Sequence, residues 1–398
     1  MPEPASTALV NIGTLLTGDL GAPVAAADAI RVEGGVITAV GDTVALRDAE
    51  RVIDVHGATV GPGLVDSHCH VVLGDYTPRQ RTVGFLASYV HGGITQAISP
   101  GEIHLPGRPH DAAGVKALAV VAQRSWRQVR PGGMVVHGGA IVLEPTLSDA
   151  DLAEVAGEGV RLAKFGFGRY ADPADGVPQV RAAQAAGMIV TCHSGGASIP
   201  GSKPITAQHL LELRPDVCGH VNGGPTSLDE QGVRRIVRET GMVLQLVQAG
   251  CLRSALEIVR EVREVGAEGR VVLGSDTPTG TGVMPLGVLK TMAELASLSG
   301  VPGETVWAWA SGTSARVWRL EAGTVAVGRP AHLVVSDAPW GSLAADTLGA
   351  LGRGDIPGVA AVLIDGVVRA LRSRNTPAAA RQVTITPEID DPPGSEHV

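Results

Sequence analysis

Aromatic side chains are scarce in this 398-residue chain: three Phe, three Tyr and five Trp. A pocket walled by stacking rings is therefore not expected, and a small polar ligand is. Lysine is scarcer than arginine by far, with Lys116, Lys164, Lys203 and Lys290 standing against 28 arginines. Each lysine then invites a question about why arginine would not serve. The four cysteines, Cys69, Cys192, Cys218 and Cys251, show no Cys-x-x-Cys spacing, which argues against a disulfide frame. No apolar run reaches spanning length and the first residues lack a basic stretch, so a soluble cytoplasmic protein without a membrane partner is expected. The net charge of −8 comes with no basic stripe, which excludes nucleic acid as an expected partner.

What is present is a large apolar fraction, 44%, with 53 Gly and 26 Pro. That is enough for a sizeable core crossed by many tight connections, and the length suggests one large domain with a smaller one. Both ends read as short strands. Ala8–Ile12, Ala29–Val32 and Val36–Val40 are separated by Gly34-Gly35, and Gly323–Val325, Ala331–Val335 and Val359–Ile364 repeat the pattern near the C-terminus. Residues 1–61 and 321–386 are expected to form one composite β-sandwich, and 387–398 a loose acidic tail. Between them, eight apolar runs centre near Val65, Ala97, Gly138, Leu162, Val190, Gly219, Leu244 and Leu273. Helical patterns such as Asp229–Thr240 and Ser254–Val265 lie between some of them. Strands alternating with helices predict a parallel sheet, and eight such units over residues 62–320 fit an α/β class fold, the (β/α)8 TIM barrel.

Active residues of such a barrel gather at the C-terminal ends of its strands. Reading each end in turn gives His68 and His70 after the first strand, Lys164 in the fourth, His193 closing the fifth, His220 after the sixth and Asp276 after the eighth. Residues two apart on a strand share a face, so His68 and His70 emerge together, ready to hold one metal ion. Taken singly, each of these is as easily a structural residue. Cys69 and Cys192, one step out of phase, should point into packing. Taken together, four histidines, a lysine and an aspartate at matched positions suggest one metal-binding mouth.

This set resembles the amidohydrolase superfamily in its two-metal form. The resemblance implies that His68 and His70 hold one divalent ion and that His193 and His220 hold the second. It further implies that Lys164, carboxylated by CO2, bridges both, and that Asp276 binds the first and moves the proton. The ions expected are zinc, or a zinc–iron mixture. Arginine cannot take the bridging role, because its pKa is too high for carboxylation. The run Gly323–Val335 also matches the superfamily's C-terminal strand pattern, with His332 where an acidic residue is usual.

The loop strings Gly74–Gln80, His104–Pro109, His137–Ala140, His193–Gly196, His220–Thr226 and Gly352–Gly358 are similar to those of the enamidase branch. That branch opens a cyclic enamide, tetrahydro-6-oxonicotinate, on the way to 2-formylglutarate and ammonia. The resemblance makes a homo-oligomer, dimer or tetramer, the expected assembly. Tyr76, Arg79, His104 and His137 are the substrate-contact residues this reading selects. A rim tyrosine, a surface ion pair, a loop cap and a buried structural histidine are their ordinary alternatives. A hydrolase of N-acyl amino acids or dipeptides on the same fold remains open, as do, further off, a deaminase and a non-catalytic scaffold.

Overall fold

The computed structural model describes residues 4–71, 84–101, 107–199, 201–278, 282–390 and 392. The central apolar runs become parallel strands. Leu64–Asp66 pairs with Ile94–Ile98, which pairs with Val135–His137. A second run of parallel neighbours goes Ile141–Val142, Leu162–Phe165, Ile189–His193, Val217–Gly219, Val243–Val247 and Val271–Gly274. The last strand returns to the first: Ser67 N donates to Leu273 O at 3.1 Å and Asp276 N to His68 O at 2.7 Å. The strands are mostly apolar because both faces are covered, as parallel sheets require. Val65, Ile98, Leu162, Ile189 and Val217 meet inside with Trp318, while the outer faces pack under helices.

The third unit differs from its expected single strand centred on Gly138. It splits into Val135–His137 and Ile141–Val142. Gly139 adopts φ +86°, and a Cβ on Gly138 would lie 2.4 Å from Trp126 Cδ1. The chain steps around that indole instead of running straight. The helices sit where the pattern put them. Glu230–Glu239 starts on Asp229, whose side chain accepts from Gly232 N, and Leu252–Glu264 follows.

The chain ends interleave in two further sheets. One runs Thr384–Thr386, Arg51–Asp54, Ser6–Val10, Ala29–Glu33, Val36–Gly41. The other runs Val367–Leu371, Gly358–Ile364, Leu333–Asp337, Thr59–Pro62, Thr14–Leu16, Val24–Ala25. Leu9, Ile30 and Ile53 of the first share a core with Val60, Leu333 and Leu363 of the second. Gly323–Val325, expected as a strand, is not one. Val325 N donates to Thr17 O, but no ladder continues from it, and Gly323 sits at φ +123°. Ile389, in the segment expected to be loose, packs partly buried against the core of these sheets. No helix among the described residues is long and apolar enough to cross a membrane.

Candidate active site

Six side chains of metal-ligand type stand at the C-terminal ends of the parallel strands. His68 and His70 follow Leu64–Asp66, Lys164 lies inside Leu162–Phe165, and His193 ends Ile189–His193. His220 follows Val217–Gly219, and Asp276 follows Val271–Gly274. The structure brings them together. His70 Nε2 is 2.8 Å from Asp276 Oδ1, and His68 Nε2 is 3.6 Å from the same oxygen. The His68 ring centroid is 5.1 Å from that of His70 and 5.4 Å from that of His220, and His220 is 4.7 Å from His193. Lys164 is only 1% exposed, and its Nζ lies 5.7 Å from the centre of the Phe167 ring. Backbone conformation at two of the six is unusual: Asp276 has φ +56° and His220 φ +37°. Such residues cost roughly 1–3 kcal/mol each and persist where the surroundings hold them, commonly at functional sites.

Burial decides the charge state of the imidazoles. It pushes His68 and His220 well below the usual histidine range and His193 down to about 4, and the Lys164 charge pushes all three the same way. Neutral imidazole is the form that binds metal. The tautomers can be read from the partners. His68 Nδ1 donates to Gln245 Oε1, which leaves Nε2 a lone pair, with no hydrogen-bond partner among the described residues. That lone pair faces the Asp276 carboxylate. His193 Nε2 donates to Gly196 O at 2.6 Å, leaving Nδ1 as a lone pair 3.1 Å from His220 Nε2. An unpartnered imidazole lone pair facing a carboxylate in a dry site is repelled unless a cation lies between them, so the donor set fits divalent metal. His68, His70 and Asp276 offer one ligand atom each within 4.8 Å of one another.

No family model matches the chain. Comparison with individual proteins is more informative. It is 45% identical over 384 residues to enamidase from Eubacterium barkeri, an alignment that takes in 96% of this chain and all of that protein. A solved enamidase structure, described as a member of the amidohydrolase superfamily, superposes with a TM-score of 0.92 over the same shares of both chains. The chain belongs to the enamidase family of the amidohydrolase superfamily. An imidazolonepropionase from Salinispora tropica is 28% identical over 84% of this chain and 93% of its own length. Membership makes the protein an amidohydrolase, a metal-centred hydrolase acting on a carbon–nitrogen bond, and implies the TIM-barrel fold.

Several residues of this enamidase-family site were not legible beforehand. Gln245 is fully buried. Besides holding His68, it donates from Nε2 to Ser67 O at 2.7 Å. Asp66 accepts from Ser275 N at 2.9 Å, Ser275 Oγ at 2.5 Å and His68 N at 3.1 Å, and burial pushes its carboxyl up to about 6. It ties the first strand to the eighth, just beneath the ligand-type residues they carry. Glu144 is buried after Ile141–Val142 and accepts from Arg108 Nη2 at 2.6 Å, His110 Nδ1 at 2.8 Å and Arg169 N at 2.8 Å. The strand-end rule that found the six would also have found Glu144. Two glycines make room for ligand-type side chains. A Cβ on Gly101 would sit 2.6 Å from Lys164 Cγ, and one on Gly166, at φ +112°, 2.6 Å from His193 Cβ.

Cys69 and Cys192 are buried away from the cluster as their phase requires, and burial drives the Cys192 thiol well up. Tyr76, Arg79 and His104 lie outside the described residues. His137 is not brought to the six. Its Nε2 lies 3.2 Å from Gln96 Oε1, and it lines a separate cavity none of whose lining residues is among them. The third strand breaks immediately after it, so the position reached from a continuous strand does not apply.

Proposed function

We propose that this chain is a two-metal hydrolase that opens the ring amide of tetrahydro-6-oxonicotinate, on the way to 2-formylglutarate and ammonia. The observation that carries the reading is 45% identity along the whole length of an enamidase, with a full set of ligand-type side chains at the strand ends. The eight parallel units are taken to close as a (β/α)8 barrel over 62–320. Residues 1–61 and 321–386 are taken as the composite β-sandwich, and a homo-oligomeric, cytoplasmic enzyme is the reading that goes with the family. His68, His70 and Asp276 would hold one ion and His193 and His220 the other, and Lys164, once carboxylated, would serve both. Zinc suits a site rich in imidazole, and a zinc–iron pair is compatible with the same donors.

Divalent ions held by these residues would supply an acidified water and a polarised substrate carbonyl. Asp276 then accepts the proton of the attacking water and returns it to the departing ring nitrogen, so that the C–N bond breaks without releasing an amide anion. Gln245 keeps His68 in one tautomer throughout. The dry mouth, with all six side chains buried or nearly so, favours charge that develops against fixed partners over charge in water.

The test is ammonia release from tetrahydro-6-oxonicotinate by metal-replete protein, with a chelated sample beside it. Metal-dependent release at an enzyme-like rate is expected. No release from protein shown to hold two metals would reject this substrate. Turnover of N-acyl amino acids or dipeptides in the same assay would move the reading to the open-chain alternative.

A further inference from the structure

A cavity of about 620 Å³ lies at the opposite end of the parallel strands from the six ligand-type residues. Its floor is formed by Val135, Leu162 and Ile189, each of which opens its strand, together with Ile98, which ends one. Its roof comes from the terminal sheets, at His332 and Asp365, and from the helix ending at Trp318. The volume falls in the range of small-molecule sites, which run from about 300 to 1,000 Å³.

Two features give this cavity a chemical preference. Its rim carries Arg127, Arg130, Arg161 and Arg319 against the acids Glu321 and Asp365. Asp365 is already engaged, 2.7 Å from Arg130 Nη2 and 2.9 Å from His332 Nε2. Arg127, Arg161 and Arg319 make no ion pair among the described residues; Arg319 donates to Gly187 O, and Arg127 and Arg161 are left as two exposed guanidinium groups without a carboxylate. The second feature is an unused donor. The indole N–H groups of Trp307 and Trp309 donate to Pro62 O and Glu268 O, but that of Trp318, 5% exposed, has no partner among the described residues. His332, 4% exposed, likewise has an unpartnered Nδ1. Buried polar atoms left unpaired are uncommon in folded proteins, and three in the wall of one cavity, with Gln123 Oε1 the third, call for an explanation.

We propose that this cavity is a second binding site, distinct from the catalytic one, for a small organic acid. Its carboxylate is taken by the unpaired arginines at the rim. Its carbon body rests on the apolar floor of Ile98, Leu162 and Ile189. The recognition is of a carboxylate with an apolar body, because the space is far larger than a bare oxyanion fills.

The chain's five tryptophans make the test local. Zinc-loaded protein labelled with ¹⁵N-tryptophan should give five indole signals, with that of Trp318 assigned by Trp318→Phe. Titration with succinate is expected to shift the Trp318 signal saturably while the signal of Trp340, which is 79% exposed, stays in place. Succinamide, the neutral counterpart, should leave it unmoved. Arg161→Gln and Arg127→Gln, both at exposed positions, should each weaken the succinate effect roughly tenfold, as loss of a charge-assisted contact does. The absence of a saturable shift, or a shift that both arginine variants retain at full affinity, would overturn the proposal. So would inorganic phosphate matching succinate, which would make this a bare oxyanion site.

Discussion

The amide oxygen of Gln245 accepts the Nδ1–H of His68 while its amide nitrogen donates to Ser67 O at 2.7 Å and Ser67 Oγ at 3.1 Å. The two nitrogen contacts fix which way the amide faces, and the amide then fixes the imidazole tautomer. Gln245 also accepts from His220 N at 3.3 Å, so one buried side chain touches histidines assigned to both metals.

Gln245→Leu should therefore weaken metal binding without unfolding the protein, because leucine fills much of the same buried space. The expected loss is about 10- to 100-fold in metal affinity or activity, the usual cost of removing such a partner. Gln245→Glu keeps an acceptor for His68 but gives up the donor to Ser67, and should fall between. Competition with a chelating dye measures both. Wild-type affinity in Gln245→Leu would mean that His68 needs no help to present Nε2.

Lys164 tests the bridge. Lys164→Ala should lose most activity and regain part of it with formate or acetate, which replace the missing oxygens. Lys164→Arg keeps length and positive charge but cannot be carboxylated, so it should be as inactive and should not respond to added carboxylates. Gly101→Ala acts on the same residue from outside, since its Cβ would crowd Lys164 Cγ at 2.6 Å. It should lower activity and, because overpacking a buried site costs about 1–3 kcal/mol, lower the thermal transition as well. Full activity of Lys164→Ala without additive would remove the lysine from the centre.

The six ligand-type residues were legible because metal chemistry restricts residue types and the fold restricts position, so each strand end could be searched for a few letters. Gln245 was not, because a glutamine inside an apolar strand carries no such restriction. Its role rests on Ser67 and His68, 178 and 177 residues away in sequence. The split of the third strand was hidden for a similar reason. Gly138 and Gly139 read as ordinary strand glycines until Trp126 is seen beside them. His332, noted in the sequence only as a departure from a family pattern, is not among the six residues or their partners. It lines the second cavity instead.

Arg381 offers a prediction about stability. It meets Asp337 with two parallel contacts of 2.6 Å and reaches Gly57 O at 2.9 Å, which ties the C-terminal segment to both chain ends. Asp337 is fully buried, and Arg381 is a third exposed. Arg381→Met would leave a buried carboxylate with little compensation. The loss should be about 3 kcal/mol, the low end for breaking a buried pair because solvent reaches the arginine. Adding Asp337→Leu should restore part of it, since no charge is then stranded. Thermal or denaturant unfolding reads both variants. If the single variant unfolds as the wild type does, the pair does not anchor this segment.

Asp276 separates metal binding from proton transfer. Its backbone sits at φ +56°, a region in which asparagine is among the best tolerated residues, so Asp276→Asn should preserve the local fold. The amide oxygen can still face the metal between His68 and His70, and most of the metal should be retained. What the amide cannot do is accept the proton of the attacking water. Turnover should fall by about 10²- to 10⁴-fold, the span expected for a general acid–base group, with metal content nearly unchanged. Measuring both on the same preparation is essential, because the two roles differ only in how the losses divide. Near-wild-type turnover would assign the proton to another group. Loss of metal in step with turnover would make Asp276 a ligand alone.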